Sequence, residues 1–277
     1  MKTMKKIFAL ILVLAVMLTM AACGSDNEDE TTAATAAAGN AATVSDVDYV
    51  LANGKLVVGI TEFAPMDYQE NGQWVGFDAD MAKAFAASLG VQAEFVVINW
   101  HMKAIELENK GIDCVWNGMT LTDGVKAAMS TSNPYCNNAQ VIVVPSAVAG
   151  DYATEESLGG LTIAVESGSA GEAMAIEKGL NYISVTDQAS ALLEVSAGTC
   201  DAAIIDLLMA GAMIGEGTSY ANLTYTVSLN SEEYGVGFRK GSDLTAKLNE
   251  FFAAAYADGS MMETAKLYGV QESIIPQ

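Results

Sequence analysis

The stretch VGFDADMAKAFAASLGV, residues 75–91, decides how the rest of the chain is read. Asp78 after Phe77 offers a helix N-cap, apolar residues recur at helical spacing through 79–90, and Gly90 offers a C-cap. The run KLVVGI (55–60) on one side reads as a buried strand, and VQAEFVVI (91–98) on the other as the next strand. A helix from about His101 to Lys110 and the strand CVWNG (114–118) complete a βαβαβ series, which predicts a parallel sheet covered by helices. After VIVVPSAVAGDY (141–152) the pattern restarts. LTIAVE (161–166), a helix ending at Gly179, YISVT (182–186), the helix DQASALLEVSAG (187–198) and DAAIID (201–206) form a second unit. Two α/β units in series predict two lobes. The segment YGVGFRKGSDL (234–244) adds a strand, and two further helices follow it, LTAKLNEFFAAAYADG (244–259) and SMMETAKLYG (260–269).

Working outward, residues 1–22 carry a basic start, MKTMKK, an apolar run, IFALILVLAVMLTM, and small residues before Cys23. This order predicts a cleaved export signal, the apolar run being shorter than the roughly 20 residues of a membrane span. Small residues directly before a cysteine predict lipidation at Cys23 and attachment to the outer face of the cell membrane. Residues 23–52 are rich in Ala, Thr and acids without apolar period, the composition of a flexible tether.

The chain has 277 residues and a formal charge of −21, which becomes about −24 once Lys2, Lys5 and Lys6 leave with the signal. Nucleic acid and anionic headgroups are therefore poor partners; the acidic surplus either keeps an exported protein soluble or attracts a cationic solute. Cys114, Cys136 and Cys200 are odd in number and lack C-x-x-C spacing, which argues against a disulfide framework. Cys114 and Cys200 lie in or beside apolar runs and are expected in the core. His101 is the only histidine, so triads and histidine-based metal sites that need a second one are excluded, and no cofactor motif is present.

In open α/β sheets ligands sit beyond the carboxyl ends of the strands. At those ends the chain resembles the polar amino acid binding proteins of ABC importers, solute-binding family 3. The likeness is carried by VGFDADMAKAFAASLGV, GMTLT (118–122), SNPY (132–135) and YGVGFRKGSDL, in order over more than 200 residues. It implies a periplasmic-binding-protein-like fold of type II, with a hinge between two α/β lobes. Carried over, lobe 1 comprises 54–138 and 235–277, lobe 2 comprises 142–230, and the crossings fall near 137–141 and 230–235. The resemblance further implies a monomer that delivers its ligand to the transmembrane subunits of a permease.

The implied ligand residues are Phe63 and Trp100 as flanking aromatics, Asn117, Gly118 and Thr120 in the ligand loop, and Glu166, Ser169 and Asp206 in lobe 2. Asp206 matches the family's receptor for an α-ammonium, the favoured reading; a carboxylate there could instead cap the helix LLMAGAM. Glu62 is a candidate only as the neighbour of Phe63, and Trp116 points either to the cleft or to the core. The family pattern has an arginine clamp for the α-carboxylate at position 125, where this chain has valine; its single arginine, Arg239, lies elsewhere. Lys126 is adjacent but turned by about 100° along a helix. A cleft dominated by acids predicts a basic amino acid or a related amine, captured without chemistry. Two other classes share the scaffold: dehydratases, whose dicarboxylate substrates fit such a cleft poorly, and ligand-sensing receptor domains. The chain shows no signalling module after the second unit, which favours transport.

Overall fold

A computed structural model describes residues 45–277. The signal, Cys23 and most of the tether expected from the sequence lie outside the described residues. In chain order the elements are α1 (Asp46–Asn53), β1 (Lys55–Ile60), β2 (Tyr68–Glu70), β3 (Gln73–Val75), α2 (Phe77–Ser88), β4 (Gln92–Val97), α3 (Lys103–Glu108), β5 (Cys114–Thr120) and α4 (Asp123–Ala128). They continue with β6 (Ser130–Thr131), β7 (Cys136–Asn138), β8 (Gln140–Pro145), β9 (Ile163–Glu166), α5 (Ala170–Glu177), β10 (Tyr182–Val185) and α6 (Gln188–Ala197). The last are β11 (Ala202–Asp206), α7 (Leu207–Met213), β12 (Leu223–Ser228), β13 (Glu232–Phe238), α8 (Leu244–Ala257) and α9 (Ser260–Leu267).

The first sheet runs β4-β1-β5-β13-β6, with β7 also paired to β13. Its strands β4, β1 and β5 are parallel, as the βαβαβ pattern predicts, and β13 returns antiparallel against β5. The second sheet runs β10-β9-β11-β8-β12, parallel over its first three strands and antiparallel at β8 and β12. Only Ala139 separates β7 of the first sheet from β8 of the second, and the chain returns through residues 229–231. These crossings are tied together: Gln140 N–H donates to Asn230 Oδ1 at 2.7 Å, and Leu229 N–H to the Gln140 carbonyl at 2.8 Å.

Helix α2 begins at Phe77 behind Gly76, so Asp78 falls inside the first turn rather than at the cap. Its carboxylate is buried and accepts from Gly118 N–H at 2.7 Å and from the Tyr135 hydroxyl. A residue read from sequence as a local stop signal thus bonds segments 40 and 57 positions away. Trp116 lies wholly in the core, its ring 6.2 Å from Phe85 and 5.6 Å from Phe252. Burying each such ring contributes roughly 1.5–3 kcal/mol. Cys114, Cys136 and Cys200 are buried free thiols.

Order begins earlier than the composition suggests. Residues 46–53, within or beside the expected tether, form α1, capped by Ser45, whose hydroxyl accepts from Asp48 N–H at 3.0 Å. Arg239 holds this helix to the first sheet: it pairs with Asp46 and Asp113, both at 3.0 Å, and donates to the Ile112 carbonyl at 2.7 Å. The chain's single guanidinium is thereby engaged in the fold, away from the carboxyl ends of the strands.

Candidate functional site

A cavity of about 510 Å³ opens where the carboxyl ends of β1, β5, β9 and β11 converge. It brings together Phe63, Trp100, Asn117, Gly118, Thr120, Glu166, Ser169 and Asp206. Glu62 is excluded: it is exposed, outside the lining, and accepts from Gln69 N–H at 3.2 Å. In the β-bridge that joins Phe63 to Asp67, successive side chains face opposite ways, which turns Glu62 out as Phe63 turns in.

The loop after β5 is held from behind. Gly118 has φ +55°, and a Cβ there would stand 2.2 Å from the Phe63 ring, so the close approach of loop and aromatic requires glycine. Its N–H is already given to Asp78. The Asn117 amide accepts from Thr61 N–H at 2.9 Å and donates to Asp67 at 2.8 Å, while the Thr120 hydroxyl donates to Glu232 at 2.9 Å. The polar groups that the resemblance marks for ligand contact are thus engaged in shaping the loop. Val125 lines the cavity, whereas Lys126 is exposed and outside it, so the adjacent lysine does not replace the missing arginine.

The charged groups lie elsewhere in the lining. Asp206 ends β11 and makes no cap hydrogen bond to α7. Its carboxylate instead accepts from Asn138, Gln140 and Tyr234 at Oδ1, and from Gln188 at Oδ2. Burial, with the nearby Glu232 charge, pushes its pKa up to about 8 against those hydrogen bonds. Glu166 ends β9 with only 2% of its surface exposed, and its Oε1 has no hydrogen-bond partner. Burial first, then Asp206, raises its pKa to about 8, while Lys103 opposes the shift. Ser169 caps α5 by accepting from Glu172 N–H at 3.1 Å.

Three polar or charged lining residues escape the sequence reading. Gln188 joins α6 to Asp206, its Oε1 accepting Asp206 N–H at 2.8 Å. Glu172 accepts from Gly168 N–H at 2.8 Å, fixing the turn above the cavity. Lys103 opens α3, and burial lowers its pKa to about 8 although Glu166 and Glu172 favour its charge. The periodicity of 101–110 carries no sign of this; it marks Lys103 only as a polar helical residue.

Residues 56–271 match the sequence profile of one protein family, described as bacterial extracellular solute-binding proteins, family 3. The chain belongs to that family. This solute-binding protein is 26% identical over 270 residues to the arginine-binding extracellular protein ArtP of Bacillus subtilis strain 168, a match covering 95% of this chain and 97% of that one. It is 27% identical over 213 residues to the L-cystine-binding protein TcyJ of Escherichia coli strain K12, covering 75% and 80% respectively. Among solved structures, a mutant of ArgBP from T. maritima is 30% identical with a TM-score of 0.75, and the match covers 80% of this chain and 98% of that one. The fold of the solute-binding protein is the two-lobed type II form that the resemblance implies.

Glu166 supplies a direct check on these electrostatics. Its folded pKa lies above the ordinary carboxylate value, so the unliganded protein is most stable in this respect below about pH 4.5 and loses that contribution as pH rises towards 8. Glu166→Gln removes the buried charge and is expected to stabilise the unliganded protein by about 1–3 kcal/mol at pH 8, with the gain shrinking towards pH 5. Urea unfolding across that range measures it; a destabilised variant at pH 8 contradicts the assignment.

Proposed function

We propose that this protein captures a small cationic solute, a basic amino acid or a related amine, between its lobes and delivers it to an ABC permease without chemical change. The observation that carries this reading is the pair of buried carboxylates, Glu166 and Asp206, facing one cavity, with Glu166 Oε1 left unpartnered. A buried carboxylate without a partner is costly, and a ligand cation removes the cost. Phe63 and Trp100, 3% and 6% exposed, supply apolar walls for an aliphatic stem. Relatives named for arginine agree with this charge, although a relative named for cystine shares the family. A dicarboxylate, as a dehydratase would require, would meet two like charges.

The nine residues named from the sequence reduce in this proposal to eight ligand-facing ones, with Glu62 dropped. The lobes are taken as 54–138 with 235–277, and 142–230, closing on the ligand about the crossings at Ala139 and 229–231. Contacts across the cleft support a closed arrangement: Lys103 Nζ donates to the Gly168 carbonyl at 2.9 Å, and a Cβ on Gly168 would stand 2.7 Å from His101 Cα. Closure stabilised by ligand contacts is the expected mode.

Calorimetry at pH 7 should find arginine or lysine binding with Kd of about 1 µM, and glutamate not binding. A bound cation favours ionised Glu166 and Asp206, both raised to about 8 in the free protein. Binding should therefore release protons, and arginine affinity should rise from pH 6 to pH 8. Glutamate as the tightest ligand, or an affinity falling over that range, contradicts the reading.

The export signal at residues 1–22 and lipid attachment at Cys23 belong to the same proposal and rest on the sequence order alone. Cys23→Ser should release a folded protein from the membrane fraction into the medium on cell fractionation. Retention of that variant on the membrane would show a different anchor.

A further inference from the structure

An amino acid held by Glu166 and Asp206 brings its own carboxylate, and the family's guanidinium is absent from this cavity. Lys126 lies outside it, and Arg239 is bound to Asp46 and Asp113. Among the described residues lining the cavity, Lys103 is the only lysine or arginine. Its position follows from the turn before α3. Asn99 caps that turn by accepting from His101 N–H at 3.0 Å, Trp100 packs inward, and the residue three positions later falls on the same face. The Lys103 ammonium stands 4.7 Å from the Trp100 ring centroid and donates to the Trp100 carbonyl at 3.2 Å and the Gly168 carbonyl at 2.9 Å.

A lysine ammonium has three N–H donors, and these two carbonyls account for two. We propose that the third receives the ligand's carboxylate, so that Lys103 replaces the missing arginine and the site selects dibasic α-amino acids over the corresponding amines. The inference rests on the cationic-ligand reading above and sharpens it. Four carboxylates line the cavity, but Asp123 is exposed and Glu172 is engaged by Gly168 N–H and the Ser184 hydroxyl. The two buried ones, Glu166 and Asp206, together with the Lys103 ammonium are the charge complement of a ligand with two cationic groups and one carboxylate. An amine lacking the carboxylate leaves the Lys103 ammonium facing a second cation in a partly dehydrated space. Because an ammonium is a point charge rather than a planar fork, it gives attraction with less orientation than arginine would.

The test compares each amino acid with its own decarboxylated amine, arginine with agmatine and lysine with cadaverine, by calorimetry at pH 7. The unaltered protein should bind each amino acid at least about 10-fold more tightly than its amine. Lys103→Met should weaken arginine about 10–100-fold, the range of one charge-assisted hydrogen bond, and agmatine less than about 3-fold. Lys103→Arg should restore most of the preference. The ratio of the two affinities is insensitive to any fraction of a variant that fails to fold. Equal losses for both members of a pair would mean that Lys103 only braces Trp100 and Gly168, and would overturn the assignment while leaving the cationic reading intact. Equal affinities for arginine and agmatine in the unaltered protein would overturn it as well. If none of the four compounds binds, the cationic reading falls and takes this inference with it.

Discussion

The carboxylate of Asp206 sits 4% exposed at the end of β11, and four side chains converge on it. Asn138 and Tyr234 come from strands of the first sheet, Gln140 from the second sheet just past the crossing, and Gln188 from α6. A buried carboxylate has to be surrounded by donors, and those of this one tie the two sheets together. Asn138 and Gln140 each donate also to Glu232, at 2.7 and 2.8 Å, so both crossings share one polar network with the cavity floor. Asp206 Oδ1 is crowded by three donors while Oδ2 has one, which leaves acceptor capacity for a cation at Oδ2.

A second pair of buried acids does comparable work behind the ligand loop. Asp67 and Asp78 are both fully buried, and burial raises the pKa of each, that of Asp78 to about 7. They occupy the Asn117 amide and the Gly118 N–H, which shape the turn against Phe63. The side-chain donors of Asn117 and the backbone donor of Gly118 are consequently spent on shaping this wall. In the proposed function, recognition shifts to the charged groups around it: Glu166, Asp206 and, by the inference above, Lys103. The absence of an arginine at position 125 is then one part of a rearranged site.

The parallel strands and their covering helices were legible because continuous apolar runs and helical spacing follow directly from burial on two faces or one. Residues 55–98 show this well. Strand β8 carries the apolar run VIVV (141–144), but nothing local to it or to β12 marks their antiparallel places in the second sheet. Helix α1 was missed for a related reason: its short apolar content is stabilised by Arg239, almost 200 residues away. In the site, aromatics and loop glycines stood out because few other positions hold them. Asp78 was read as a cap because its partners Gly118 and Tyr135 are distant in sequence. Lys103 looked like any solvated helical lysine, and only the approach of the Gly168 turn from the opposite lobe makes it part of the cavity.

The central claim is that the two buried carboxylates of this cavity exist to hold a cation. Native mass spectrometry of protein purified from its own cells, without refolding, reads the occupant directly. The account predicts one retained small molecule whose net charge at pH 7 is positive. A retained dicarboxylate, or an uncharged apolar solute, would contradict it.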